Sequence, residues 1–191
     1  MVYGDGDQIP NLIDWWNWHP SRREEKAPLP ARERVKRLFE REKVPYRFIS
    51  HPEAYSALQL AESIDVPKRQ VAKVVVVNAR EEYGMVALPA QLDLSLARFA
   101  EAMGIHRVSL ADERELREIF PDCEVGAMPP FGELYELPVY ADESLAEEAI
   151  IYFPAGSHHE AVEMRYEDFD RMVHPIVGQF GSDPLKWASS P

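Results

Sequence analysis

The sequence predicts an α/β fold of the α+β type: a single domain in which helices pack on a mixed, largely antiparallel, curved sheet. Three observations carry this reading. Strand-like segments such as "YRFIS", "AKVVVV", "MVALP" and "LPVYA" are interleaved with helix-like ones, yet no strict βαβ repeat and no internal repeat emerges. Several of the joins are of hairpin length. The chain has 191 residues and 46% apolar content, enough for one sizeable core.

The elements follow in order. Residues 1–30 read as an extension rich in proline (Pro10, Pro20, Pro28, Pro30) and tryptophan. Trp15, Trp16 and Trp18 need cover. We read them as an arm packed on the domain body, in preference to an interface or a base-stacking surface. From Pro30, "PARERVKRLFEREKVP" puts Val35, Leu38 and Phe39 on one helical face, with Pro30 at its start and Pro45 beyond its end. "YRFIS" then alternates as a strand. Ser56 and Gln59 have capping-box spacing and open a helix over about 57–64. "AKVVVVNAREEYGMVALPA" reads as a hairpin with "AREEYG" as its turn. "DLSLARFAEAMG" is a helix with Asp93 as N-cap and Gly104 past its end. "HRVSL" is a short strand, after which Ser109 caps "ADERELREIF". Strands are expected at 137–141, 149–153 and 161–164, then a helix "YEDFDRMV" ending before Pro175. The domain is expected to span 31–175, with a C-terminal tail over 176–191 in which "GSDPLKWASSP" reads as loose.

Composition narrows the function classes. Cys123 is the one cysteine, so no disulfide forms within the chain, and a reducing cytoplasm is the simplest setting. The apolar runs, such as Val74–Val77, are far shorter than the ~20 residues that cross a membrane. The N-terminus lacks a basic region and is not a signal peptide. Net charge is −12. The first fifty residues hold ten Lys and Arg against eight Asp and Glu, and the rest hold eleven against 25. That balance excludes a broad duplex-DNA binder. The basic clusters Arg22-Arg23-Lys26, Arg32-Arg34-Lys36-Arg37 and Lys68-Arg69 read as solvated faces.

The chemistry is sparse. No phosphate loop, dinucleotide motif, zinc spacing or nucleophile elbow is present. Of the histidines only His158 and His159 are adjacent, and on a strand neighbours point to opposite faces, a poor metal clamp. No metal and no cofactor is expected. Cys123 reads as a small buried hydrophobe before a nucleophile. Lys73 opens a valine run. It is either a strand-end lysine whose stem snorkels to solvent or a functional cation at a buried strand. "GAMPP" has backbone donors only at Gly126, Ala127 and Met128, before two prolines freeze the exit. It is either a plain connecting loop or a set of fixed donors for a carbonyl or oxyanion.

From Ser50 to Phe169 the pieces "SHPEAYSALQLAESIDVP", "QVAKVVVV", "DLSL", "EVGAMPPFG", "LPVYADESL" and "FPAGSHHEAVEM" occur in an order that resembles the YbaK / aminoacyl-tRNA deacylase family. That family is related to the editing domain of bacterial prolyl-tRNA synthetases. The resemblance covers about two-thirds of the chain. It implies hydrolysis of a mischarged aminoacyl-tRNA, often tRNA for proline carrying a small non-cognate residue, with the substrate's 2′-OH assisting the attacking water. It implies catalytic roles for Lys73 and for the loop backbone at Gly126, Ala127 and Met128. Pro130 sets that loop, and Asp142, His158 and His51 join the substrate pocket. The implied partners are the acceptor end of the tRNA and a synthetase that recruits the protein. Pro129 adds a second proline to the family's Gly-x-x-x-Pro loop. The alternative is a non-catalytic binding module of the same fold, recognising an amino acid, a nucleotide or a partner protein.

Overall fold

The computed structural model describes residues 29–79 and 82–184. The tryptophan cluster and residues 185–191 lie outside the described residues.

Helix α1 (Ala31–Glu42) buries Ala31, Val35, Leu38 and Phe39, the face its spacing predicts. Lys43 closes it in the left-handed conformation. Strand β1 (Tyr46–Ser50) follows, then α2 (Ala57–Ser63), whose capping box between Ser56 and Gln59 forms as expected. Strands β2 (Ala72–Ala79) and β3 (Glu82–Pro89) make an antiparallel hairpin. Pairing runs out to Ala79 and Glu82, so only two residues join the strands, a tighter link than the expected "AREEYG" turn.

Two predicted caps shift. Helix α3 (Leu96–Met103) is capped by Ser95, and Asp93 lies instead in the two-residue strand β4 (Asp93–Leu94). Helix α4 (Glu113–Ile119) is capped by Asp112, whose carboxylate accepts from the Glu115 N–H, while Ser109 belongs to strand β5 (Ser109–Leu110). In both cases a nearer acceptor sits one residue before the first helical turn. Next come β6 (Val139–Asp142), the single turn α5 (Glu143–Ala146), β7 (Ile150–Ser157), β8 (Glu160–Arg165) and α6 (Tyr166–Val173).

The segment expected to be a tail supplies two more strands, β9 (Ile176–Gly178) and, in the stretch that reads as loose, β10 (Gly181–Ser182). Phe180 between them is fully buried. That core contact, invisible without the fold, orders the backbone around it.

The strands form three sheets among the described residues. The largest runs β5-β2-β3-β6-β9, antiparallel up to β3 and parallel beyond it. A second, antiparallel sheet runs β1-β8-β7, and β4 pairs with β10. A parallel bridge between Val71 and Tyr152 joins the two larger sheets at the foot of β2.

Alternation along β2 and β3 feeds a core on each face. Val76, Met85 and Ala87 meet α1 and Phe131, Phe153 and Phe169. Val77, Val86 and Leu88 meet Phe99 of α3 and Phe180. A smaller cluster places Leu60 and Ala61 of α2 against Val71 and Ala161. Lys73 thus opens β2 where α2, the bridge and the β7–β8 turn converge.

Candidate functional site

The 122–131 loop is folded back on β7. The Glu124 N–H donates to the Gly156 carbonyl at 2.9 Å, and the Gly156 N–H donates to Ala127 O at 2.9 Å. The return bond is possible because β7 bulges between Pro154 and Ser157, with Gly156 at φ +97°. A Cβ on Gly156 would come within 2.4 Å of the Ala31 Cβ, so α1 leaves no room for one. Arg34 of α1 holds Asp122 at 2.8 Å and lies over the Tyr135 ring.

Within this loop the three expected donors separate. Ala127, Met128, Pro129 and Pro130 are buried, while Gly126 is exposed at φ +90°. The Ala127 N–H is spent on Glu124 O at 2.9 Å. The Gly126 N–H points at the Met128 sulfur, 3.3 Å away. Thioether sulfur is a weak acceptor, so this donor is the lightly held one. Pro130 lies on the buried side of the loop.

Gly126 borders a small pocket together with His51, Tyr55, Ser56, Lys73 and His158. Four of the residues expected at the site therefore meet, although they come from four separate stretches of chain. Roomier clefts occur elsewhere, one beside Leu38 and Met172 and one beside Ala97 and Arg107, and neither holds an expected site residue.

His158 and His159 occupy the β7–β8 turn and not a strand. His158 faces the pocket with only 13% of its side chain exposed. Its backbone N–H donates to Glu124 at 2.6 Å, and its ring packs 5.0 Å from that of Tyr55. His159 turns outward, 3.7 Å from Glu53. Backbone bonds from His51 N to His159 O and from Ala54 N to His158 O, both 2.9 Å, tie this turn to the chain leading into α2. His51 Nδ1 lies 2.8 Å from Pro52 O, and Nε2 is buried with no partner among the described residues.

Lys73 keeps about a quarter of its side chain exposed, and its Nζ lies 3.2 Å from Asp93 Oδ1. Asp142 is not brought to the pocket. It is buried, and its carboxylate caps α5 and accepts from the Phe180 and Gly181 N–H groups at 2.9 and 2.7 Å.

Two features, one at the pocket and one beside it, were missed in the sequence. Tyr55 is 64% exposed beside the opening, with its hydroxyl on Glu53, a bond that raises its pKa. Nothing in the sequence sets this tyrosine apart from an ordinary surface residue. Asp93 is the ion partner of Lys73, and twenty residues of separation hide the pairing. Among the described residues no three His, Cys, Asp or Glu side chains converge as a metal site, and no helix is long and apolar enough to cross a membrane.

A small pocket lined by Lys73 and Gly126 beside a mixed sheet is the candidate site of this α/β domain. Comparison places it further: the chain belongs to the aminoacyl-tRNA editing domain family, matched over residues 51–172. Among solved structures it is similar to the hypothetical protein APE2540, at 17% identity and TM-score 0.71, covering 78% of this chain and 99% of that one. It is also similar to a proposed trans-editing enzyme for prolyl tRNA synthetase, at 18% identity and TM-score 0.70, covering 80% and 98%. At these identities the likeness is one of fold. No curated protein matches the chain.

Proposed function

We propose that this protein is a trans-acting hydrolase that deacylates mischarged aminoacyl-tRNA, with tRNA for proline carrying a small non-cognate residue as its substrate. The observation that carries the reading is the meeting of Lys73, Gly126, His158 and His51 in one small pocket of an editing-family domain.

The chemistry needed is ester hydrolysis. Water attacks the carbonyl carbon, negative charge gathers on the carbonyl oxygen, and the ribose oxygen leaves. The Gly126 N–H exchanges the Met128 sulfur for the substrate carbonyl, a better acceptor. Lys73 lines the same pocket, and in this reading its ammonium turns to the carbonyl oxygen and stabilises the developing charge, an effect worth about 10²–10³ in rate for one well-placed donor. The 2′-OH of the terminal ribose orients the water, as the family resemblance implies.

Binding follows from the remaining groups. A carbonyl only accepts, so the Pro52 O fixes the proton of neutral His51 on Nδ1 and leaves the buried Nε2 as an unused acceptor in the pocket wall. The exposed Tyr55 ring offers the terminal adenine a stacking face. The acidic surface suits brief contact with the acceptor end, or delivery by a synthetase, more than independent grip on a whole tRNA. Such editing answers a physical limit: a synthetase pocket rejects a side chain one methylene too small by only about 1–3 kcal/mol.

The test is a deacylation panel with tRNA for proline charged with Ala, Cys, Ser, Thr and Pro. Hydrolysis of a small non-cognate ester, with prolyl-tRNA spared, is expected. Binding without hydrolysis of any ester would favour a binding module instead.

A further inference from the structure

We propose that Asp93 and the buried Asp142 are positioning residues for Lys73, linked by the C-terminal strand β10. The proposal rests on the catalytic reading of Lys73 given above.

Asp142 is the one charged residue buried as a whole, backbone and side chain, among the described residues. A buried carboxylate is tolerated only when its oxygens are satisfied. Here Oδ2 takes the N–H groups of Phe180 and Gly181, and Oδ1 takes the Ser144 N–H and hydroxyl. Half of that carboxylate is thus devoted to fixing the backbone just ahead of and within β10. Phe180 packs there against Phe99 and Tyr140.

Residues 180–182 in turn hold the stretch that carries Asp93. Gly181 and Ser182 pair with Leu94 and Asp93. The Ser95 N–H donates to Phe180 O at 2.9 Å, Arg98 Nη1 to Gly181 O at 2.6 Å, and the Ser182 hydroxyl to Asp93 O at 3.3 Å. Strand β4 has β10 as its pairing partner. Without β10 the Asp93 backbone would lose that partner.

Asp93 then meets Lys73 at 3.2 Å. With 66% of the Asp93 side chain exposed, this pair adds little stability. What it fixes is direction. A lysine stem has four flexible carbons, and its ammonium must be aimed if it is to meet a developing oxyanion. The path runs from Asp142 through 180–182 and β4 to Asp93 and the Lys73 ammonium, so the segment after residue 175 becomes part of the site's scaffold.

The experiment is single-turnover hydrolysis of Ala-tRNA for proline by the full chain, as Asp93→Asn, Asp93→Glu, Lys73→Ala and the Asp93→Asn/Lys73→Ala pair. Asp93→Asn should slow the step by about tenfold to a hundredfold, the usual result of a misaimed group, with little change in half-saturation. Asp93→Glu should recover most of the rate. In the Lys73→Ala background Asp93→Asn should add nothing.

A second readout needs no activity. The Lys73 side-chain NMR signal should move in Asp93→Asn and in Asp142→Asn, or in Arg98→Gln should Asp142→Asn not fold. A slow Lys73→Ala with Asp93→Asn at the wild-type rate would overturn this inference alone. Equal slowing by Asp93→Asn with and without Lys73 would do the same, and so would an unmoved Lys73 signal. Lys73→Ala at the wild-type rate would overturn the catalytic reading beneath it as well.

Discussion

Burial pushes the Cys123 thiol up to about 12, and its sulfur lies 3.1 Å from the hydroxyl of Tyr135, itself raised by burial. A thiol so placed carries almost no thiolate near neutrality and is a poor nucleophile. It should react slowly with iodoacetamide at pH 8 in the folded protein and promptly in denaturant, and Cys123→Ala should keep most of the hydrolytic activity. Fast native alkylation with loss of activity would contradict this. The folded state keeps a proton that the unfolded chain gives up above about pH 9. The stabilisation is therefore complete below pH 9 and declines as pH rises toward 12. The partial burial of Cys123 against the core was legible as that of a small hydrophobe in a proline-rich turn. The inner placement of His158 over His159 was not, because it depends on the β7–β8 turn.

The elements show which local signals carry through to structure. The α2 capping box and the apolar face of α1 were readable because each is set by neighbours within one or two turns. The caps at Asp93 and Ser109 were misplaced because several Ser and Asp residues compete there, and strand pairing claimed these two. The loop's role was half legible. Proline and glycine marked a rigid corner, but only the bulge of β7 determines that Gly126 alone reaches the pocket. Gly156 is the hinge of that arrangement. Gly156→Ala combines a left-handed φ with a collision against Ala31, and should cost about 2–5 kcal/mol in urea unfolding. A cost below about 0.5 kcal/mol would mean that α1 and β7 can part without loss.

For the molecule as a whole, the mixed sheet and helical layers were legible from the alternation of patterns. The division into three sheets was not, since no short-range signal marks the β4–β10 pair or the Val71–Tyr152 bridge. The closing segment is the largest difference. Phe180 fills the core under α3, so Phe180→Ala should lower stability by about 3–5 kcal/mol. A loose tail would lose almost nothing. Thermal melts at equal concentration decide between the two. The candidate site, by contrast, was legible chiefly through the family's motif order: Lys73, Gly126, His158 and His51 line one pocket, while Asp142 is buried away from it. The central claim is that this gathering hydrolyses an aminoacyl ester with Lys73 at its centre. Its most direct measurement is single-turnover deacylation of mischarged tRNA for proline by wild type and Lys73→Ala, with melting curves alongside. The account predicts a loss of about 10²-fold or more at unchanged melting temperature, equivalent to about 2.7 kcal/mol of transition-state stabilisation. Hydrolysis by Lys73→Ala at the wild-type rate would contradict it.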